Sequence, residues 1–308
     1  MPDIHQLGDL LDICLARSES VLDEAAWSDL AKLRGHVRRR AGFLGELLVV
    51  ALAGGTGSGK SSLFNALSHA QIATVGIERP TTSECLAALP ADAVGDIEEF
   101  VAALGIDRTV FVDGLDRMVL VDLPDFDSTF TDHRGVVESV LAVVDAVVWV
   151  FDPEKYADRL IHESFLAPLA RHEDQMLFVL NQVDRLGDDA DLVAASLRSH
   201  LRGDGFRHPE VVCSIAAPSE RVDVQVDAVH KALRSRLDIK DSAMRTLAVD
   251  IAQTANALWR DLRDRHAALE GSTRGDTALA MASFVSLGIA AHEAAAAHPA
   301  EEGRRAIE

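Results

Sequence analysis

The first 45 residues carry apolar side chains at helical spacing. The apolar positions are Leu7, Leu10, Leu11, Leu15, Val21, Leu22, Leu30, Leu33 and Val37. Most of them recur three, four or seven residues apart, which is the spacing of one helix face, so the pattern predicts one or two amphipathic helices. Near the other end, from Met244 to Leu262, the same spacing predicts one long amphipathic helix.

Between about residues 46 and 238 the pattern changes to short apolar runs that alternate with helical stretches. The runs are LLVVALA (47–53), CLAAL (85–89), MVLVDL (118–123), AVVWVF (146–151), MLFVLN (176–181) and EVVCSI (210–215). Strands this apolar are buried on both faces, and intervening helices favour parallel pairing. We therefore predict an α/β fold, a doubly wound and mostly parallel six-stranded sheet flanked by N- and C-terminal helices. In the insert at 91–117 we expect a short helix and a hairpin-like turn.

These patterns divide the chain into three sections. They are an N-terminal helical segment (1–45), the α/β domain (46–238) and a C-terminal helical segment with a frayed tail (239–308). We expect a helix at about 223–237 to close the α/β domain, and the two terminal segments to pack together as a helical stalk. The apolar stretch 277–291 is shorter than the ~20 residues that cross a bilayer, so we expect a packed helix there.

Composition narrows the set of partners. The net charge of −19 argues against broad binding to nucleic acid or anionic membrane, which needs basic surface, so no direct DNA binding is expected. The cysteines, Cys14, Cys85 and Cys213, lie at neither zinc-ligand nor CxxC spacing. Few scattered thiols suit a reducing compartment, and we expect a cytoplasmic protein.

The glycine-rich stretch AGGTGSGKSS, residues 53–62, contains a complete GxxxxGK[ST] phosphate loop between a strand and a helix. Its bare backbone lets N–H groups surround the α- and β-phosphates, and the following helix adds the positive end of its dipole. Lys60 is expected to reach the β- and γ-phosphates, and Ser61 to bind Mg²⁺. The candidate binding residues here are Gly54, Gly55, Thr56, Gly57, Ser58, Gly59, Lys60, Ser61 and Ser62.

Two further stretches suit the γ-phosphate and its metal ion. In RPTT (79–82), Thr82, or its neighbour Thr81, can complete the Mg²⁺ sphere. In VLVDLPD (119–125) a strand ends at Asp122, where a Mg²⁺ carboxylate belongs, and the backbone N–H of Asp125 can meet the γ-phosphate. The candidate metal ligands are Ser61, Thr82 and Asp122, and the candidate catalytic residues are Lys60, Thr82, Asp122 and Asp125.

The stretch FVLNQVD (178–184) bears on the choice of base. Asn181, Gln182 and Asp184 follow a buried strand, at the sheet edge where ligands bind. The Asp184 carboxylate can accept hydrogen bonds from N1–H and the exocyclic amine of guanine. Adenine offers no such pair of donors, and an unmatched carboxylate is costly, so we predict GTP and GDP as ligands. An ATP-using P-loop enzyme is the rival interpretation.

Together these motifs resemble the GTPase domain of the translation-factor-related P-loop class, over roughly residues 46–237, with the Era-like and dynamin-like GTPases as the nearest branches. The resemblance implies a fifth motif in CSIAAP, where the backbone of Ser214, Ile215 or Ala216 contacts the guanine oxygen. It also implies Mg²⁺-dependent GTP binding and GTP hydrolysis that drives a nucleotide-controlled conformational switch.

The chain departs from the family pattern at four positions. One is Gly57, where potassium-activated members have asparagine, so we do not predict potassium-dependent catalysis. Asp125 replaces the glycine of DxxG but keeps its backbone N–H. Phe126 stands where small GTPases place a water-orienting glutamine, so we expect slow hydrolysis; a guanine-nucleotide-binding regulatory module that never hydrolyses GTP is the alternative. Gln182 replaces the usual lysine, and we expect Asp184 to preserve guanine selectivity. Arg79, Lys155 and Arg159 are the internal candidates for a cation that stimulates hydrolysis.

The resemblance also suggests partners. A homodimer can form through the nucleotide face or through the helical stalk, and the stalk can engage a ribosome or a membrane. A dynamin-like assembling GTPase, peripheral at a membrane, is a further alternative that depends on the terminal helices alone.

Overall fold

A computed structural model describes residues 3–73, 85–124, 140–216, 224–266 and 272–297. The chain forms two compact units. One comprises residues 47–237, and the other combines residues 1–46 with 238–308.

The 47–237 unit is built on a sheet with seven described strands. They are β1 (Leu48–Gly54), β2 (Leu86–Pro90), β3 (Arg108–Val112), β4 (Met118–Asp122), β5 (Ala146–Phe151), β6 (Met176–Leu180) and β7 (Val211–Cys213). Their spatial order is β3-β2-β4-β1-β5-β6-β7. Every neighbouring pair is parallel except β2 with β4. The predicted α/β class with a mostly parallel sheet is confirmed.

The strand count differs from the six predicted, because β3 lies in the insert where a hairpin-like turn was expected. The chain runs from β2 through the helix α4 (Ile97–Leu104) into β3, which pairs in parallel with β2. β3 is an edge strand of the sheet and only partly buried, and Phe111 on it is exposed. Its sequence, RTVFV, therefore lacks the wholly apolar character that marks the central strands.

Helices cover the sheet. Besides α4, they include α3 (Lys60–Leu67) and α5 (Ala190–Gly203), and Val229, Ala232 and Leu233 of a later helix pack into the same core. An irregular helical segment joins the turns Arg159–Ile161, His162–Leu166, Ala167–Leu169 and Ala170–Gln175, where one helix was predicted at about 158–171. Pro168 interrupts it, since proline lacks the N–H that a continuous helix needs. Short 3₁₀ turns, Val183–Arg185 and Gly187–Asp189, follow β6.

The direction of the strands places the predicted motifs at one edge of the sheet. β1, β4, β5, β6 and β7 run parallel, so the chain leaves each of them at the same side. The loops after β1, β4, β6 and β7 carry the phosphate loop, DLPD, NQVD and CSIAAP respectively. In open α/β sheets ligands bind at this carboxyl edge.

The second unit is helical. It contains α1 (Ile4–Ser18), α2 (Glu24–Ala41), the part of α6 (Asp227–His266) from residue 238 onwards, and α7 (Ser272–Ala297). Asp3 and Asp23 cap α1 and α2 by accepting hydrogen bonds from Gln6 N and Ala26 N, each at 2.8 Å. The core includes Leu7, Leu11, Leu30, Ile251, Leu262, Phe284 and Leu287.

α6 differs from the prediction, because the helix expected at about 223–237 and the long helix from Met244 are continuous. No proline or glycine lies between Asp227 and His266 to end the first helix. α7 contributes Ala280, Phe284, Leu287 and Ala291 to the core of its unit. Among the described residues it is also the one helix, as Thr273–Ala297, long and apolar enough to cross a membrane; 39% of its most apolar window is buried.

Candidate functional site

The phosphate loop joins the end of β1 at Gly54 to the start of α3 at Lys60. Steric contacts require glycine at both ends of this loop. A Cβ on Gly54 would lie 2.6 Å from the carbonyl oxygen of Val150. Gly59 has φ +83°, and a Cβ there would clash with Asn181 Nδ2. Because Gly59 has no side chain to cap α3, the positive end of this helix faces the loop, where an anion is stabilised.

Lys60 is buried, with 3% of the residue exposed. Its Nζ donates hydrogen bonds to Asp122 Oδ1 at 2.6 Å and to the carbonyl oxygen of Leu123 at 2.7 Å. Ser61 Oγ donates to Asp122 Oδ2 at 3.0 Å. Asp122 is the fully buried last residue of β4, which pairs with β1, so sheet order brings these three predicted residues together.

The donor set fits a Mg²⁺ ion. The Ser61 hydroxyl and the Asp122 carboxylate are oxygen ligands of the kind that Mg²⁺ prefers, and they lie within hydrogen-bond distance of each other. Within the described ranges no group of three or more His, Cys, Asp or Glu side chains could hold a metal ion. Thr82, Asp125 and Phe126 lie outside the described residues, as does Arg79.

Asn181 connects three motifs from a fully buried position directly after β6. Its Nδ2 donates to the carbonyl oxygen of Ser58 in the phosphate loop at 3.0 Å. Its Oδ1 accepts from Ser214 Oγ at 2.9 Å and from Ala216 N at 3.1 Å. The amide thus holds NQVD, the phosphate loop and the 214–216 loop in one arrangement, with every polar atom of the side chain used.

Asp184 lies in the turn Val183–Arg185 and is partly buried. Its carboxylate accepts no hydrogen bond from the residues that the structure describes. A partly desolvated carboxylate is suited to accept the paired N–H groups of a guanine edge.

The 214–216 loop lies beside Asn181, but its N–H groups already have acceptors. Ser214 N donates to Leu180 O at 2.9 Å, Ile215 N to Gln225 O at 2.9 Å, and Ala216 N to Asn181 Oδ1. A contact from this loop to a base therefore requires one of these bonds to be exchanged, or it comes from residues beyond 216, outside the described range.

Two residues that motif matching did not select contact this site. Arg185 Nη1 donates to Gln182 Oε1 at 2.8 Å, and its Nη2 forms an ion pair with Glu154, on the connection after β5. Tertiary structure alone brings Glu154 here, so no sequence signal could have identified it. Of the cation candidates, Lys155 Nζ donates to Thr56 O at 3.2 Å, whereas Arg159 is exposed and paired with Glu163.

Comparison with known proteins agrees with the motifs. Residues 49–182 match the family model described as 50S ribosome-binding GTPase. A chain of an oligomerised bacterial dynamin pair, which senses and tethers membranes over long range, aligns at 14% identity with a TM-score of 0.52. The alignment covers 92% of this chain and 50% of the dynamin chain, so this chain spans half the length of that protein.

Two further solved structures are similar in part. Era from Aquifex aeolicus, bound to GDP and AlF₄⁻, aligns at 18% identity and a TM-score of 0.42, over 60% of this chain and 56% of its own. Toc33 from Arabidopsis thaliana, with GDP and Mg²⁺, aligns at 14% identity with a TM-score of 0.43. The alignment covers 73% of this chain and 95% of the Toc33 chain. A sequence comparison with curated proteins gave no significant match.

Proposed function

We propose that this chain, whose residues 49–182 match a GTPase family model, binds GTP and GDP with Mg²⁺ and uses GTP hydrolysis to switch between conformations. The observation that carries the proposal is the hydrogen bond from Asn181 Nδ2 to the carbonyl oxygen of Ser58. This bond joins the predicted base-reading segment to the predicted phosphate cradle, so one nucleotide can contact both. In this proposal residues 46–238 form the switch domain, and the segments 1–45 and 239–308 respond to it.

Selectivity for guanine rests on Asp184. Its carboxylate can accept from N1–H and the exocyclic amine of guanine, whereas the adenine edge presents an acceptor at N1. Binding ATP would leave this carboxylate unmatched, and sites built around such bonds reject ligands that lack them by large factors.

Phosphate binding requires Lys60 to exchange partners. Its ammonium group is now held by Asp122 and Leu123, and a β- or γ-phosphate would replace part of this shell. Lys60 and the loop N–H groups would then stabilise the negative charge of the phosphoryl group as water attacks in line. Ser61 and Asp122 would hold Mg²⁺, which supplies further neutralisation of phosphate charge when bound. Phe126 cannot orient the water, and we expect slow hydrolysis without a partner.

The first test is displacement of a fluorescent GDP analogue by GTP, GDP and ATP, with and without Mg²⁺. The proposal requires guanine nucleotides to compete at least about a hundredfold better than ATP, a discrimination that polar readout of this kind readily reaches. Equal competition by ATP would reject guanine reading and leave the phosphate loop standing.

The second test separates a switch from a module that never hydrolyses GTP. Phosphate release is followed under single-turnover conditions for the wild type and for Lys60→Ala. Release by the wild type that Lys60→Ala abolishes supports a GTPase. Tight GTP binding with no release supports the non-hydrolysing alternative.

α7 favours a second candidate function, an assembling GTPase that works at a lipid membrane. From Thr277 to Ala291 this helix has no charged residue, and Leu279, Val285 and Ile289 on it are exposed. The helical stretch Thr273–Ala297 has 25 residues, which at 1.5 Å each exceed the ~30 Å of a bilayer core. The similar bacterial dynamin pair senses and tethers membranes. A cytoplasmic location, peripheral at the membrane, and a homodimer through the nucleotide face or the helices belong to this proposal.

Co-sedimentation with phosphatidylcholine vesicles, with and without phosphatidylglycerol, tests the membrane candidate. Binding that is lost in a Leu279→Asp/Ile289→Asp variant supports it. Leu192→Asp is the matched control, because Leu192 is an exposed leucine on α5, in the other unit. Failure of the wild type to sediment with either vesicle would reject the candidate.

A further inference from the structure

Three consecutive carbonyl oxygens of the phosphate loop accept hydrogen bonds from side chains outside the loop. The donors are Lys155 Nζ to Thr56 O at 3.2 Å, Gln182 Nε2 to Gly57 O at 2.9 Å and Asn181 Nδ2 to Ser58 O at 3.0 Å. A trans peptide directs its C=O and N–H to opposite sides. Fixing these carbonyls therefore fixes the peptide planes that carry the N–H groups of Gly57, Ser58 and Gly59. The Ser58 N–H here donates to the carbonyl oxygen of Gly55 at 3.1 Å, so a phosphate would have to replace that acceptor.

The middle donor, Gln182, uses both ends of its amide. Nε2 donates to Gly57 O, while Oε1 accepts from Arg185 Nη1 at 2.8 Å. Arg185 in turn pairs with Glu154. Gln182 has left-handed backbone geometry, with φ 58° and ψ 33°, which aims its side chain back at the loop. Only a side chain that both donates and accepts can bridge the loop carbonyl and the guanidinium in this way.

We propose that Gln182 and Arg185 are a matched pair of positioning residues that set the phosphate loop for the β-phosphate, with Glu154 holding Arg185 in place. The inference rests on the proposed function, since it concerns the same site. It explains why glutamine, and not the usual lysine, occupies position 182. A lysine could donate to Gly57 O but could not accept from Arg185, and its ammonium group would face the guanidinium as a like charge.

The Arg185–Glu154 pair is too exposed to matter as a source of stability. Its side chains are 47% and 67% exposed, and ion pairs in such surroundings contribute little to folding. Its role is to orient side chains: Glu154 fixes the Arg185 guanidinium, and the guanidinium in turn orients the Gln182 amide. If Gln182 and Arg185 were structural, their replacement would lower the free energy of unfolding. If they position the phosphate loop, replacement weakens nucleotide binding and leaves that free energy unchanged.

A double-mutant cycle tests the match. GDP dissociation constants are measured for the wild type, Gln182→Lys, Arg185→Leu and the double variant. We expect about tenfold weaker binding for Gln182→Lys and about threefold for Arg185→Leu, within the range of coupled neighbours. The double variant should bind within about threefold of the wild type, because its lysine no longer meets the guanidinium. Independent residues would instead give about a thirtyfold loss.

A second readout separates positioning of the phosphate loop from loss of a contact to the base. Gln182→Ala should weaken GDP by about tenfold and GMP, which lacks the β-phosphate, by no more than about twofold. Equal losses for GDP and GMP would overturn the positioning role. Arg234→Leu is the matched control, since Arg234 is an exposed arginine paired with Asp116 at 2.5 Å in the same unit. Its GDP affinity should equal that of the wild type.

Failure of nucleotide binding and failure of the Gln182–Arg185 pairing give different results. A wild-type protein that binds neither GDP nor GMP rejects the proposed function. A wild-type protein that binds GDP, with additive losses in the cycle and unfolding midpoints unchanged, rejects the matched pair alone.

Discussion

Replacing Asn181 by alanine should destabilise the 47–237 unit even without nucleotide. The substitution removes three hydrogen bonds and leaves the carbonyl oxygen of Ser58, the Ser214 hydroxyl and Ala216 N without their partner. Each bond contributes about 1 kcal/mol, and a buried group left unsatisfied costs about 1–3 kcal/mol. Water entering the vacated space offsets part of this loss, so we expect the free energy of unfolding to fall by about 3 kcal/mol.

Urea unfolding with a unit-specific probe measures this change. Trp149 on β5 is buried in the 47–237 unit, whereas Trp27 and Trp259 lie in the helical unit. A background with both of the latter changed to phenylalanine therefore reports on the sheet alone. Asp92→Ala, at an exposed position of the same unit, is the control and should change stability by less than about 0.5 kcal/mol. A loss below about 1 kcal/mol for Asn181→Ala would refute its role as the buried connection between the three motifs.

Three further predictions follow from contacts and pKa values. Gly59→Ala should weaken GDP binding by at least about a hundredfold, because its Cβ clashes with Asn181; Gly105→Ala, also at positive φ but with open space around it, should leave GDP affinity unchanged. Burial, reinforced by His69 and Arg234, lowers the pKa of His230 below 6.5, so its contribution to stability is complete above about pH 6.5 and is lost as the pH falls through the folded pKa. The variant His230→Phe keeps an aromatic ring against His69 and removes the buried Nε2, which has no described partner. In urea unfolding, its free energy of unfolding should change less between about pH 7.5 and 5.5 than that of the wild type. An equal pH dependence in both proteins would contradict the assignment to His230. Burial raises the pKa of Cys85 to about 11 and that of Cys14 to about 12. At about pH 8 both thiols of the folded protein should therefore react with a disulfide reagent at least about a hundredfold more slowly than those of the urea-unfolded protein. Rapid labelling of either thiol in the folded protein would contradict the buried environment.

The central strands could be predicted from sequence because burial on both faces leaves wholly apolar runs such as LLVVAL. β3 could not, since an edge strand mixes exposed and buried positions, as Arg108 to Val112 do. The continuity of α6 was missed because its first part, with Val229 and Leu233, belongs to one hydrophobic core and its later part, with Met244 and Ile251, to another. No helix-ending residue lies between Asp227 and His266.

Motif spacing selected the residues that gather at the sheet edge, because phosphate binding demands a strand, a bare loop and a helix in sequence. The proximity of Lys60 to Asp122 follows once β1 and β4 are neighbours. The contacts of Arg185 with Gln182 and Glu154 could not be predicted, because they depend on where the connection after β5 lies in space. A pairwise contact between exposed side chains leaves no pattern in a single sequence.

The most direct measurement of the central claim, that Asp184 reads guanine, compares GDP, XDP and ADP on the wild type and on Asp184→Asn. Xanthine carries a carbonyl where guanine has its exocyclic amine, so an asparagine amide can match it while a carboxylate cannot. We predict that the wild type binds GDP at least about a hundredfold tighter than XDP or ADP, and that Asp184→Asn prefers XDP over GDP. Equal binding of ADP and GDP by the wild type, or an unchanged order of affinities in Asp184→Asn, would contradict the account.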